Sequence, residues 1–153
     1  MKNLFLGLLF IICYVEGSTQ KSNRPKLQAM YDKIIDAGIE HPDFVMAQAI
    51  QETGWLNCKN CCLRYNNLFG FYKKGNKCMK FESEKECIKY YKDWQKKRYP
   101  KWKKKHPKGT YYDFLKAIGY AANPTYNKEL KVFVTWVRKN LKVPEKEEAA
   151  LVD

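Results

Sequence analysis

Helix start and stop signals recur along nearly the whole of this chain, and one stretch between them is built differently. Pro25 suits the first turn of a helix, followed by Leu27, Met30, Ile34 and Ile35 at helical spacing and by Gly38 as a stop. Pro42 opens a second, carrying Phe44, Val45, Ala49 and Ile50 up to Gly54, which can take a left-handed cap. Ser83 with Glu86 reads as a capping box for a helix through Ile88, Tyr91 and Trp94, and Thr110 with Asp113 as another, running through Phe114, Leu115 and Ile118 to Gly119. Asn123 and Pro124 form an N-cap and first-turn pair for a last helix with Leu130, Phe133, Val134 and Val137 on one face. The exception is Asn66–Phe81, where Leu68, Phe69, Phe71, Met79 and Phe81 flank a Lys-Gly-Asn turn, the pattern of a β-hairpin. The expected class is therefore α+β, mostly α.

At 153 residues, with 45% hydrophobic and 15% aromatic side chains, the chain has material for one buried core and too little for two. No linker or repeat divides it. Lys2 followed by the apolar run Leu4–Val15 and then Glu16, Gly17 and Ser18 reads as a signal peptide, too short to span a membrane. The expected organisation is a signal peptide at 1–17, a domain at 18–144 and a charged tail at 145–153, giving a secreted or periplasmic protein. Losing Cys13 leaves Cys58, Cys61, Cys62, Cys78 and Cys87, and export makes disulfides the default for them. Five thiols give two bridges and one leftover, and their spacing does not choose the pairs. Cys58 and Cys61 have C-x-x-C spacing, but no second such pair follows, so no metal and no cofactor is expected.

Glu52 is the residue out of pattern. It lies three positions after Ala49 and seven after Val45, so helical geometry runs the apolar face straight into a carboxylate. It also sits in the last helical turn before Gly54, where the negative end of the helix dipole opposes ionisation. Partial burial acts in the same direction, and both predict a raised pKa, the property of a general acid near neutral pH.

Three blocks surround that residue: AQAIQETGW at 47–55, NNLFGFY at 66–72 and GYAANPTYNKEL at 119–130. In order and spacing they resemble those of the bacterial peptidoglycan N-acetylglucosaminidases related to flagellar and autolysin glucosaminidases, glycoside hydrolase family 73-like, over roughly Pro25 to Leu141. The resemblance implies a lysozyme-like fold, a helical lobe and a small β-hairpin lobe with the sugar chain between them. It implies Glu52 as catalytic acid and an aromatic hydroxyl at the groove, assigned first to Tyr120 and second to Tyr126. Trp55, Asn67, Phe69, Gly70 and Tyr126 are the implied substrate-binding positions, although Phe69 and Tyr126 also suit core packing. Longer family members carry a second Glu on an extended hairpin. Here the hairpin, FYKKGNKCMKF, holds no acid, which leaves Glu82 as the candidate second carboxylate, since Glu86 and Glu84 are explained by helix capping and the helix dipole. Without one, the substrate's own 2-acetamido group or a held water takes its place.

The net charge is +13, from 29 Lys and Arg against 16 Asp and Glu, and it concentrates between Lys92 and Lys108, interleaved with Trp94, Tyr99 and Trp102. Cations with aromatics suit nucleic acid, but no recognised module accompanies them and no specific nucleic acid is expected. Attraction to anionic cell-envelope polymers fits an exported protein better; a solvated helix end and loop is the plain alternative. The expectation is a monomeric endo-β-N-acetylglucosaminidase acting on peptidoglycan glycan strands, cutting between N-acetylglucosamine and N-acetylmuramic acid. A muramidase-type lysozyme and a catalytically silent wall-binding module are the alternatives.

Overall fold

The structure, a computed structural model, describes residues 23–75, 77–120 and 125–144. The expected signal peptide and tail, and the Asn123–Pro124 cap, lie outside the described residues. Helices α1 (Arg24–Asp36) and α2 (Pro42–Thr53) are followed by a short 3-10 turn, Cys62–Tyr65, and by strands β1 (Tyr72–Lys73) and β2 (Lys77–Cys78). Then come α3 (Glu84–Lys105), α4 (Tyr111–Ala117) and α5 (Tyr126–Asn140). Helices with one small antiparallel hairpin make this the α+β, mostly α, lysozyme-like fold that the sequence led us to expect. None of the described helices is long and apolar enough to cross a membrane.

Helix α2 is the centre. Every residue from Phe44 to Ile50 is buried, as for a helix enclosed on all sides, and it packs along α5 and α1. Its entry is tight: His41 adopts a left-handed backbone (φ 54°) before Pro42, and its ring sits among Phe44, Tyr99 and Tyr111 with Nε2 2.8 Å from the Tyr99 hydroxyl. Its exit is tighter, since Gly54, Trp55 and Leu56 are all left-handed. That turn swings the Trp55 indole onto Phe133 and Trp136 of α5, at ring separations of 5.6 and 4.7 Å.

The helix caps follow the sequence with two shifts, the first being that α5 begins at Tyr126 after Thr125, with no side-chain cap bond, rather than at the expected Asn123–Pro124. Thr110 and Asp113 form the complete reciprocal box. Ser83 Oγ accepts from the Glu86 amide at 3.2 Å, but the Glu86 carboxylate accepts from the amide of Glu82, one residue before the cap, at 2.6 Å. Helix α3 then runs 22 residues, so the basic stretch up to Lys105 is continuous helix rather than a helix end and loop.

The hairpin is shorter than the 66–81 segment that encodes it. Among the described residues, Tyr72 with Cys78 and Lys73 with Lys77 pair as strands. The rest is held by backbone bonds from Met79 to Phe71 (2.9 Å) and from Phe81 to Tyr65 (3.0 Å) and by the Asn67 side chain, which donates to the carbonyls of Phe71 (2.7 Å) and Met79 (3.1 Å) and accepts from the Phe71 amide (3.0 Å). A side chain replaces ladder bonds, so fewer residues need extended pairing. One disulfide, Cys62–Cys78, joins the 3-10 turn to β2. Cys58, Cys61 and Cys87 are free thiols, so the expected second bridge is not formed among the described residues.

Candidate functional site

Glu52 ends the buried face of α2 against the start of the hairpin lobe. Gly70 (φ 64°) approaches so closely that a Cβ there would overlap the carboxylate, lying 2.8 Å from Cδ. Glycine is required twice at this position, for the left-handed backbone and for the space. Burial, the largest influence, raises the Glu52 pKa to about 7, and a hydrogen bond from Tyr126 works against it. No basic residue stands in the last turn of α2 to offset either burial or the helix dipole.

The Tyr126 hydroxyl donates to Glu52 and accepts from Gln48 Nε2 at 3.4 Å. Gln48, one turn before Glu52, is fully buried, and its Oε1 accepts from Tyr91 Oη at 2.5 Å. Tyr91 Oη is 2.9 Å from Tyr111 Oη, which accepts from Gln95 Nε2 at 2.9 Å. Gln95 is in turn fixed by the backbone of Glu40, donating to its carbonyl (2.8 Å) and accepting from its amide (3.0 Å). These bonds dictate a direction. Because the Gln95 amide must donate to Tyr111, Tyr111 donates to Tyr91, Tyr91 to Gln48, Gln48 to Tyr126, and Tyr126 to the carboxylate. The buried chain thus delivers a hydrogen-bond donor to Glu52.

From Gly70 a groove of about 280 Å³ leads away between the lobes, lined by Phe71, Tyr72, Trp94, Arg98, Ile118, Gly119 and Tyr120. Tyr120 is a wall of this groove, while its hydroxyl donates to the Phe69 carbonyl at 2.7 Å. The hydroxyl bonded to the carboxylate is that of Tyr126, which is also buried in the first turn of α5. Both tyrosines therefore reach the site, in different capacities.

The remaining expected site residues divide. Gly70 touches the acid. Asn67 and Phe69 are buried, Asn67 as the organiser of the hairpin and Phe69 in the core, 4.6 Å from the Tyr91 ring. Trp55 faces α5 rather than the groove. Glu82 is exposed at the start of α3 and is not among the groove-lining residues. Sequence reading missed Gln48, which the i, i+4 rule placed on the face of Glu52, and missed Trp94 and Arg98 as groove residues because they sit within the basic run.

A comparison with curated proteins finds no match. Among family profiles, residues 28–136, from within α1 into α5, match the glucosaminidase family, described as mannosyl-glycoprotein endo-β-N-acetylglucosaminidase. The match spans Glu52, the hairpin and the first turns of α5, and the chain belongs to this glucosaminidase family of glycoside hydrolases.

Proposed function

We propose that the protein is an exported enzyme, carried by the signal peptide at 1–17, that hydrolyses the β-1,4 bond following N-acetylglucosamine in peptidoglycan, with Glu52 as general acid. The observation that carries this reading is a carboxyl group between two lobes with its pKa raised to about 7, protonated over much of the range where an ordinary glutamate is ionised. Protonation of the glycosidic oxygen by Glu52 lets the bond break as positive charge develops at the anomeric carbon. The described groove walls are aromatic side chains, glycines, Ile118 and Arg98, so we assign the second role to the substrate. The carbonyl oxygen of its 2-acetamido group bonds to the anomeric carbon as the leaving oxygen takes the Glu52 proton. Water then opens that ring, giving a proton back to Glu52 and retaining the anomeric configuration. Tyr126 orients the carboxyl through its hydrogen bond.

Glu52→Gln should fold and lose about 10² to 10⁴ in rate, the range for a general acid, read as reducing ends released from purified cell wall. Mass spectrometry of the new ends should show N-acetylglucosamine. N-acetylmuramic acid at those ends would make the enzyme a muramidase, and undiminished release would refute the assignment of Glu52. Glu82→Gln should leave turnover unchanged, whereas a loss as large as that for Glu52 would restore a second protein carboxylate.

A further inference from the structure

The groove is small, at about 280 Å³ below the usual span of ligand pockets, so it suits one sugar ring and its substituents rather than a chain. Aromatic side chains line it at Phe71, Tyr72, Trp94 and Tyr120, and Tyr72 is 57% exposed on the hairpin, available to stack on a ring face. Arg98 supplies the only charge among the described groove-lining residues. It stands one helical turn after Trp94, its guanidinium carbon 5.8 Å from the centre of that ring. It has no ion pair among the described residues; those present are Lys33–Glu84, Lys89–Asp93 and Arg138–Asp43. A cation braced on the indole in this way, with no acid of its own, presents a planar fork to whatever enters.

We propose that Arg98 binds a carboxylate carried on the 3-O substituent of a sugar seated in this groove, making it a subsite for the acid-bearing sugar of the glycan. This rests on the peptidoglycan reading above and deepens it. The groove then favours an acidic glycan over a neutral polymer of N-acetylglucosamine with the same backbone. The carboxylate has two sources of the same chemistry: the free lactyl group where the stem peptide has been removed, or the peptide's own carboxylates where it has not.

The test uses the Glu52→Gln protein, which holds its ligand uncleaved, and measures affinity by calorimetry at low and high salt. Three probes are compared: chitotetraose, the alternating N-acetylglucosamine–N-acetylmuramic acid tetrasaccharide with free lactyl groups, and the same tetrasaccharide bearing stem peptides. Adding Arg98→Gln should lower the acidic-to-neutral affinity ratio about three- to tenfold, as for a partly exposed charge-assisted pair. Arg98→Lys should fall between, and the effect should shrink with salt. A drop confined to one acidic probe names the source. Lys101→Gln, on the same helix but outside the groove, should leave the ratio unchanged. An unchanged ratio in Arg98→Gln, an equal drop in Lys101→Gln, or binding of none of the probes would overturn the proposal. Hydrolysis of the acidic tetrasaccharide by the unaltered protein is read separately, so peptidoglycan cleavage with no Arg98 effect sinks the subsite and leaves the function standing.

Discussion

The two lobes that meet at Glu52 are held together by different means. On the helical side α2 is enclosed by α1 and α5, and its order comes from apolar burial spread over many residues. Among the described residues the hairpin side pairs four residues as strands and depends on a few discrete fastenings, among them three hydrogen bonds to Asn67, backbone bonds at Met79 and Phe81, a disulfide, and the insertion of Phe69 into the core. The acid belongs to the first side and Gly70, its close neighbour, to the second. Geometry at the carboxyl is therefore as good as the weaker set of fastenings, and a change far from the chemistry but within the hairpin should reach it.

The sharpest break is Gly70→Ala, which forces a Cβ into the carboxylate and a side chain onto a left-handed backbone. Misplacement on that scale should reduce kcat/KM about 100-fold while circular dichroism still reports an intact helical lobe. Next comes the joint change Cys62→Ser and Cys78→Ser. Opening a loop with a sequence separation of 16 should cost about 3 kcal/mol in denaturant unfolding. A loss well short of that would mean that the disulfide contributes little to holding the hairpin lobe.

A third prediction concerns the cost of keeping the acid. Burial holds the Glu52 carboxyl above its value in the unfolded chain, so folding favours the protonated form. Stability is full below about pH 4.5, falls as pH rises towards 7, where the folded form ionises, and levels off beyond. Glu52→Gln should therefore match the parent near pH 4 and exceed it by about 2 kcal/mol at pH 8, allowing for the solvent that still reaches the carboxyl. The smallest effect is that of Tyr126→Phe. Its hydroxyl lowers the Glu52 pKa, so removing it should move the alkaline limb of the pH–rate profile upward by less than about one unit. A downward shift would mean that the hydroxyl accepts from the carboxyl rather than donating.

Local chemistry was readable from the sequence and long-range placement was not. The starts at Pro42 and Thr110 and the stop at Gly54 depend on residues within one turn, and they stand where the sequence put them. Glu52 was legible for the same reason, as a polar interruption of a helical face. The division of labour between Tyr120 and Tyr126 depends on the carbonyl of Phe69 and the amide of Gln48, 51 and 78 residues away. Trp55 is implied as a substrate-binding position by the block it shares with the acid. Three consecutive left-handed residues turn it towards Trp136 instead, and nothing in a one-dimensional pattern marks Trp55 and Leu56 for that backbone. Arg98 was hidden by its neighbours, since a charge within a run of lysines looks like solvent-facing helix until the opposite wall is known.

Helix α3 carries three faces at once. Tyr91, Gln95 and Tyr99 point inward, Trp94 and Arg98 line the groove, and Lys96, Lys97 and Lys101 face water. Successive residues are about 100° apart around the axis, so one residue inserted or deleted between Tyr91 and Trp94 would turn every later position by that angle. The amide that directs the donor chain, the aromatic wall and the Arg98 cation would all leave their places together. Substitutions along this helix act one face at a time, whereas a change of length is all-or-none, and in diverging descendants of this chain the spacing from Tyr91 to Arg98 should vary far less than the identities of the lysines between them.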